Sequence, residues 1–267
     1  MKTNWLMKAN VRAICVLILA VLILSFRVAF GAVIYTGNGD SSGGGAVGNG
    51  TLQLSDRNGT IFATFNKGVG SFDGFLVLFI DSQPGGFNNT TSFSDNSGQL
   101  QSAISGYSSF GARATANFAS GFSADYALVV GGSVGGGSLY QLVSGNDLSP
   151  GFVRSISLSP SDTPNSATYT FNFDWANIGL TNGSGFTFES TYLTGNGSRY
   201  LESFESLTGT KGFNTVTFGN FDVYGNVPPV PEPAAWGVAS GLGLIGICLA
   251  HTWRRSRRLK SDARSVG

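Results

Sequence analysis

Between Ala32 and Pro233 the chain has no cysteine, no histidine and no methionine. Cys15 and Cys248 fall in two long apolar runs near the chain ends, and the single histidine, His251, lies at the far end of the second run. The intervening region therefore has no disulfide, no thiolate nucleophile and no imidazole to act as a general base. About 200 residues can bury a sufficient core without cross-links, so an oxidising compartment would not require any. Cations are scarce as well. Residues 32–233 have six Lys and Arg against fourteen Asp and Glu, a net charge of −8, although the whole chain is +1. A surface of that sign repels phosphate backbones and excludes nucleic acid as a partner. Helical periodicity is nearly absent. Only "GQLQSAISGY" (Gly98–Tyr107) supports a turn or two of helix.

What is present is alternation. In "TYTFNFDW" (Thr168–Trp175), Tyr169, Phe171, Phe173 and Trp175 share one face, and Thr168, Thr170, Asn172 and Asp174 the other. A period of two is the mark of a half-buried strand. "GFTFESTY" repeats it with Phe186, Phe188 and Tyr192, and "TLQLSD", "TIFATF", "DYALVV", "SLYQLV" and "VRSISL" are further strands. "FLVLFI" (Phe75–Ile80) is apolar on both faces, which predicts a central strand covered on both sides. In "TVTFGNFDVY" the apolar register flips at Gly219-Asn220, which predicts a bulge or tight turn. Glycine clusters such as "GNGDSSGGGAVGNG" (Gly37–Gly50) and "VGGSVGGGS" (Val130–Ser138) separate the strands as turns. The pattern predicts an all-β, jelly-roll-like antiparallel β-sandwich over residues 32–225.

Motifs with chemical associations are weak in this setting. "GGSVG" (Gly131–Gly135) fits the nucleophile pattern G-x-S-x-G, but Ser133 has no histidine to take its proton and no strand–turn–helix around it. "GGGAVG" (Gly43–Gly48) fits G-x-G-x-x-G without a preceding strand or following helix. Glu189, Glu202 and Glu205 are the carboxylates nearest one another in sequence, and a converging pair could hydrolyse a glycoside; solvated surface groups are the plainer reading. Asp56-Arg57-Asn58-Gly59 and Asp95-Asn96-Ser97-Gly98 resemble pieces of a calcium loop but lack its spacing and terminal Glu, so they read as Asx turns. Trp175 is the one tryptophan of residues 32–233. It is either a ligand-binding platform for a sugar ring or, being in line with three other aromatics, a core residue. No catalytic residue, metal site or cofactor is assigned.

The ends are membrane signals. Lys2, Lys8 and Arg12 precede the apolar "AICVLILAVLIL" (Ala13–Leu24), and small residues follow at Ala29 and Gly31. Residues 1–31 therefore read as a secretory signal peptide, with an uncleaved anchor helix as the alternative. "NVPPVPEP" (Asn226–Pro233) cannot join a sheet and reads as a stiff Pro-rich linker. Residues 234–253 are apolar and just long enough to cross the hydrocarbon as one transmembrane helix. The basic tail 254–267 opens with Arg254, Arg255, Arg257 and Arg258, which hold that side in the cytoplasm. The middle of the chain is then exported.

The order Pro231-Glu232-Pro233, apolar helix, arginine cluster resembles the PEP-CTERM sorting signal of Gram-negative bacteria, over about residues 230–258. The resemblance implies processing by an exosortase, a membrane cysteine protease, at the sorting motif Pro231, Glu232 and Pro233. It also implies transient anchoring in the inner membrane, then display on the outer surface or release, often in bacteria that make exopolysaccharide. The exported part is similar to DOMON-like and family-9 carbohydrate-binding modules, through "FLVLFIDSQPGG", "FASGFSADYALVV", "FNFDWANIGL" and "FTFESTYLTGNGSRY". Some such relatives bind sugar through paired tryptophans and others bind haem through Met or His; residues 32–233 have one Trp and neither Met nor His. The expectation is an exported, non-catalytic cell-surface or extracellular-matrix protein. The alternatives are a carbohydrate-binding module for extracellular polysaccharide and, third, a carboxylate glycoside hydrolase.

Overall fold

The computed structural model describes residues 31–107, 113–196, 199–202, 205–207 and 215–226. Two antiparallel sheets dominate them. The smaller has the order β1-β2-β3-β9, formed by β1 (Val33–Thr36), β2 (Thr51–Arg57), β3 (Thr60–Asn66) and β9 (Thr168–Asp174). The larger has the order β11-β10-β4-β6-β7-β8. Its strands are β4 (Phe75–Asp81), β6 (Tyr126–Gly131), β7 (Gly136–Gln141), β8 (Phe152–Ser157), β10 (Gly185–Asn196) and β11 (Arg199–Glu202), and β13 (Asp222–Gly225) also pairs with β10. A short parallel pair, β5 (Thr115–Asn117) with β12 (Thr215–Thr217), stands apart.

β4 is buried along its whole length, as a strand apolar on both faces must be. Leu76, Leu78 and Ile80 face the smaller sheet and join the main core, whereas Phe75, Val77 and Phe79 face a second core on the opposite side. The cover of that second core is the long connection from β4 to β6. It includes β5 and the short helix α1 (Gln99–Ser105), which ends at Gly106 in the left-handed conformation with φ 66°. The sandwich thus carries a third, irregular layer.

The register flip at Gly219-Asn220 separates two strands with different partners. β12 pairs with β5, and β13 pairs with β10. Accordingly Phe218 belongs to the second core and Tyr224 to the first. Asn58-Gly59 forms the two-residue hairpin between β2 and β3, with φ 56° and 90° at the two positions. That is the positive-φ pair a tight hairpin needs, and Asp56 beside it accepts a buried hydrogen bond from the Tyr224 hydroxyl at 3.1 Å.

The smaller sheet has one covered face and one open face. Its three pairings run without a register shift. The outward side chains therefore stand in straight cross-strand rows: Thr36-Thr51-Asn66-Thr168, Ile34-Gln53-Thr64-Thr170, Ser55-Phe62-Asn172 and Arg57-Thr60-Asp174. On the covered face, Phe65, Tyr169, Phe171 and Phe173 pack against the larger sheet.

Trp175 belongs to this core, although not to the strand. β9 stops at Asp174, and Trp175 opens a 3₁₀ turn, Trp175–Ile178, whose entry is fixed by reciprocal bonds between Asp174 and Asn177. The indole is 1 % exposed, stacked on Tyr224 and edge-on to Phe186, both with centroids at 5.8 Å. Trp175→Ala should therefore cost about 3–5 kcal/mol, toward the lower end because the buried indole N–H has no hydrogen-bond partner to lose among the described residues. Urea denaturation measures this, and a change under about 1 kcal/mol would contradict the packing.

Candidate functional site

Residues 32–233 have few ionisable groups, so the fate of the main carboxylates can be followed. Glu189 lies on β10, registered against Phe79 of β4, and Asp81 is two residues further along β4 on the same face. Both side chains point into the second core and are buried. Each accepts a main-chain hydrogen bond from the same covering loop. Glu189 Oε1 takes the Ala119 N–H at 2.8 Å, and Asp81 Oδ2 takes the Ser123 N–H at 3.0 Å. Glu189 Oε2 has no partner among the described residues.

Burial penalises the Glu189 carboxylate, and the Asp81 charge adds to that penalty, so the pKa of Glu189 is pushed up to about 8 despite the opposing Ala119 bond. A proton held by one of two neighbouring carboxylates is the raw material of acid–base chemistry. Here, however, Glu189 is wholly enclosed, and its contacts are with the loop that covers it. The pair holds the covering loop at two points, the amides that directly follow the aromatic plugs Phe118 and Phe122 of the second core.

Glu205 is elsewhere. Its carboxylate accepts the N–H groups of Gly45, Val47 and Gly48 at 2.7, 2.8 and 3.0 Å. "GGGAVG" does cradle an anion, then, and the anion is the chain's own side chain. The next residues anchor in the same region: the Leu207 N–H bonds the Ser190 hydroxyl at 2.7 Å, and Leu207 joins the main core. Ser190 is on the opposite face of β10 from Glu189, so the two glutamates do not converge. The sheet lies between them, and the separation comes from the period-two alternation of β10. The side chain of Glu202 lies outside the described residues.

The remaining motifs resolve as turns or staples. Ser133 sits in the hairpin between β6 and β7 and donates to the Asp73 carbonyl at 2.9 Å. Asp95 is buried, with Oδ1 on the Ser97 N–H at 2.9 Å and Oδ2 on the Leu148 N–H at 2.7 Å. It therefore forms the Asx turn and also pins the connection before β8. Sequence reasoning missed that second bond because Leu148 is fifty-three residues away. Trp175 offers no open ring face for a sugar, since Tyr224 and Phe186 cover it.

A cavity of about 520 Å³ opens in the connection between β8 and β9, lined by Pro160, Asp162, Thr163, Pro164, Asn165 and Ser166. That lining contains one ionisable group, Asp162, and so no acid–base pair. Among the described residues, no cluster of three or more His, Cys, Asp and Glu could hold a metal ion. Among them, too, no helix is long and apolar enough to cross a membrane. The apolar segments 1–30 and 234–253, the sorting motif Pro231, Glu232 and Pro233, and Arg254, Arg255, Arg257 and Arg258 all lie outside the described residues. No family model matches the chain, and neither a curated protein nor a solved structure matches it.

Two outcomes follow from the buried acids. An unfolded glutamate releases its proton near pH 4.5, whereas folded Glu189 keeps it to about 8. Between those values the folded state binds the extra proton, so its contribution is full below about pH 4.5 and is lost as the pH rises toward 8. The loss should be on the order of 3–5 kcal/mol, and Glu189→Gln should remove it. Urea midpoints of both proteins at several pH values across this window are the check; identical pH slopes would refute the assignment. Glu205→Ala should destabilise by about 3–5 kcal/mol, because three buried amides lose their acceptor. Glu205→Gln, which retains one acceptor oxygen, should cost less in the same assay.

Proposed function

We propose that the chain is an exported, non-catalytic cell-surface or extracellular-matrix protein, processed at its C-terminal sorting signal by an exosortase. One observation carries the reading: the order of features behind the last described strand. β13 ends at Gly225, and Asn226 to Pro233 follow with four prolines, the tripeptide Pro231-Glu232-Pro233 among them. Some twenty apolar residues and the arginine cluster come next. Each proline fixes φ and removes an N–H donor, which keeps such a segment extended and outside any sheet. An extended, unpaired strand is the form a protease groove binds through main-chain hydrogen bonds. An apolar span followed by arginines would hold that strand at the outer membrane face with its basic end in the cytoplasm. The signal peptide over residues 1–31 and the jelly-roll likeness of residues 32–225 belong to the same proposal.

The non-catalytic part of the proposal is supported by how the carboxylates are used. Glu189, Asp81, Glu205 and Asp95 all bond to main-chain amides of neighbouring loops, and the most strongly perturbed of them, Glu189, is enclosed. Carbohydrate binding is the second reading, and the open face of the smaller sheet favours it, not Trp175.

The test is processing in a host that has an exosortase. Replacing Pro231, Glu232 and Pro233 by alanine should leave export intact and trap a full-length, membrane-anchored form. The unaltered chain should give a product shorter by the segment behind Pro233. Equal sizes, with both forms retained in the membrane, would reduce the tripeptide to a linker. A reporter fused after Asn226 that is active only in the cytoplasm would overturn the export itself.

A further inference from the structure

We infer that the end of the sandwich holding the Asn58-Gly59 hairpin faces the membrane and is the surface against which the C-terminal processing protease works. Strand register places both ends of residues 32–226 there. β1 begins with Val33 opposite Leu54, so Ala32 lies toward the end of β2 and its hairpin. β13 ends with Gly225 opposite Gly185, so Asn226 lies beside the Thr181–Ser184 turn that leads into β10. Side-chain contacts tie the two exits together. The Tyr35 hydroxyl donates to the Val223 carbonyl at 2.8 Å, and the Tyr224 hydroxyl donates to Asp56 at 3.1 Å. The Tyr224 ring stacks on Trp175, whose main-chain N–H donates to the Gly59 carbonyl at 3.0 Å. The opposite end holds Ser133 and Val134, in the turn between Gly131 and Gly136, and the cavity of the β8–β9 connection. Strands of seven residues separate the two ends by about 23 Å.

The inference rests on the sorting reading, and the length of chain behind β13 carries it further. Pro231 follows Asn226 by five residues, which span at most about 18 Å. A protease that grips Pro231-Glu232-Pro233 therefore closes on a strand whose near end is fixed to the sandwich. A folded body of about 100 residues, with a radius of gyration of about 13 Å, is roughly twice as broad as that tether is long. Contact between the protease and the near end of the sandwich follows. The second tether is shorter still. While residues 1–31 remain attached, Ala32 alone stands between them and β1, so the sandwich cannot turn this end away. Lipid does not fit the same surface as a partner. Among the described residues there, Asp56, Asp125, Asp174 and Asp222 outnumber Arg57 and Arg154, and an anionic headgroup layer repels that balance.

Processing in a host that has an exosortase is the first test. A compact folded domain with adjacent termini is inserted either between Asn182 and Gly183 or between Ser133 and Val134, both in exposed turns that tolerate insertion. The chain altered at Ser133 should be processed like the unaltered one. The chain altered at Asn182 should accumulate at full length. A Gly/Ser spacer of about fifteen residues behind Asn226, which adds about 20 Å of reach, should restore its processing. The second test needs no insertion. The full chain with Cys15→Ser and Cys248→Ser is labelled through Asn58→Cys or through Val134→Cys and placed in phosphatidylcholine nanodiscs that carry an energy-transfer acceptor on some headgroups. Transfer from the label at Asn58→Cys should be the stronger, because the two positions are at opposite ends of the strands. Normal processing of the Asn182 insertion, equal loss with the Ser133 insertion, failure of the spacer to restore cleavage, or transfer no stronger from Asn58→Cys than from Val134→Cys would each overturn the inference. An unaltered chain that stays at full length, or that does not enter the nanodisc, is the separate failure of the sorting reading and removes the inference with it.

Discussion

β4 must be covered twice. A strand with phenylalanine, valine and leucine on both faces cannot lie on the surface of a two-layer sandwich, so the chain supplies a third layer. The smaller sheet seals one side through Leu76, Leu78 and Ile80. The connection to β6 seals the other over Phe75, Val77 and Phe79. The position of β10, the two cores and the place where Glu189 is enclosed all follow from that double burial.

Long irregular connections have to be fastened, and residues 32–233 contain no cysteine to do it. Carboxylates serve instead. Asp125 takes the N–H groups of Ser82 and Gln83, Asp95 those of Ser97 and Leu148, and Glu205 those of Gly45, Val47 and Gly48. A charge-assisted bond to a buried amide is about twice as strong as a neutral one. It also satisfies a donor that a loop cannot pair within a sheet. In a chain with so few basic residues, ion pairs could not have done this. Among the described residues one is seen, Arg154 with Asp174, and it joins β8 to β9 on the side where the two sheets approach. Arg113 likewise bonds two carbonyls of the covering layer, those of Thr90 and Phe93.

The same scarcity of charge shapes the surface. The open sheet face carries hydroxyls and amides where many proteins would carry lysine and glutamate, and it lies opposite the aromatic face of the same strands. Thr168, Thr170 and Asn172 point out because Tyr169, Phe171 and Phe173 point in. A surface made this way has neither the field to gather ions nor the apolar area to gather protein.

Local pattern determined the strands. Alternation of aromatic and polar residues needs only neighbours in sequence, so β2, β3, β6, β7, β8, β9 and β10, the double burial of β4, the short helix and the break at Gly219-Asn220 were all legible, as were the apolar ends and the tripeptide before the second. β1, with four residues, was too short to show a period. Trp175 kept the direction its alternation implied while leaving the strand, because Asp174 and Asn177 close a turn there that hydrophobic pattern does not encode. Long-range partners were not legible. Whether Glu189 meets Asp81 or Glu205 depends on which strand lies beside β10 and which face each residue takes, and only assembly of the sheet decides that. The glycine loop at Gly43–Gly48 binds an anion for the same kind of reason: the donors are local, but the carboxylate arrives from about 160 residues away. Backbone periodicity is a property of adjacent residues, whereas a site is made where distant ones are brought together by burial.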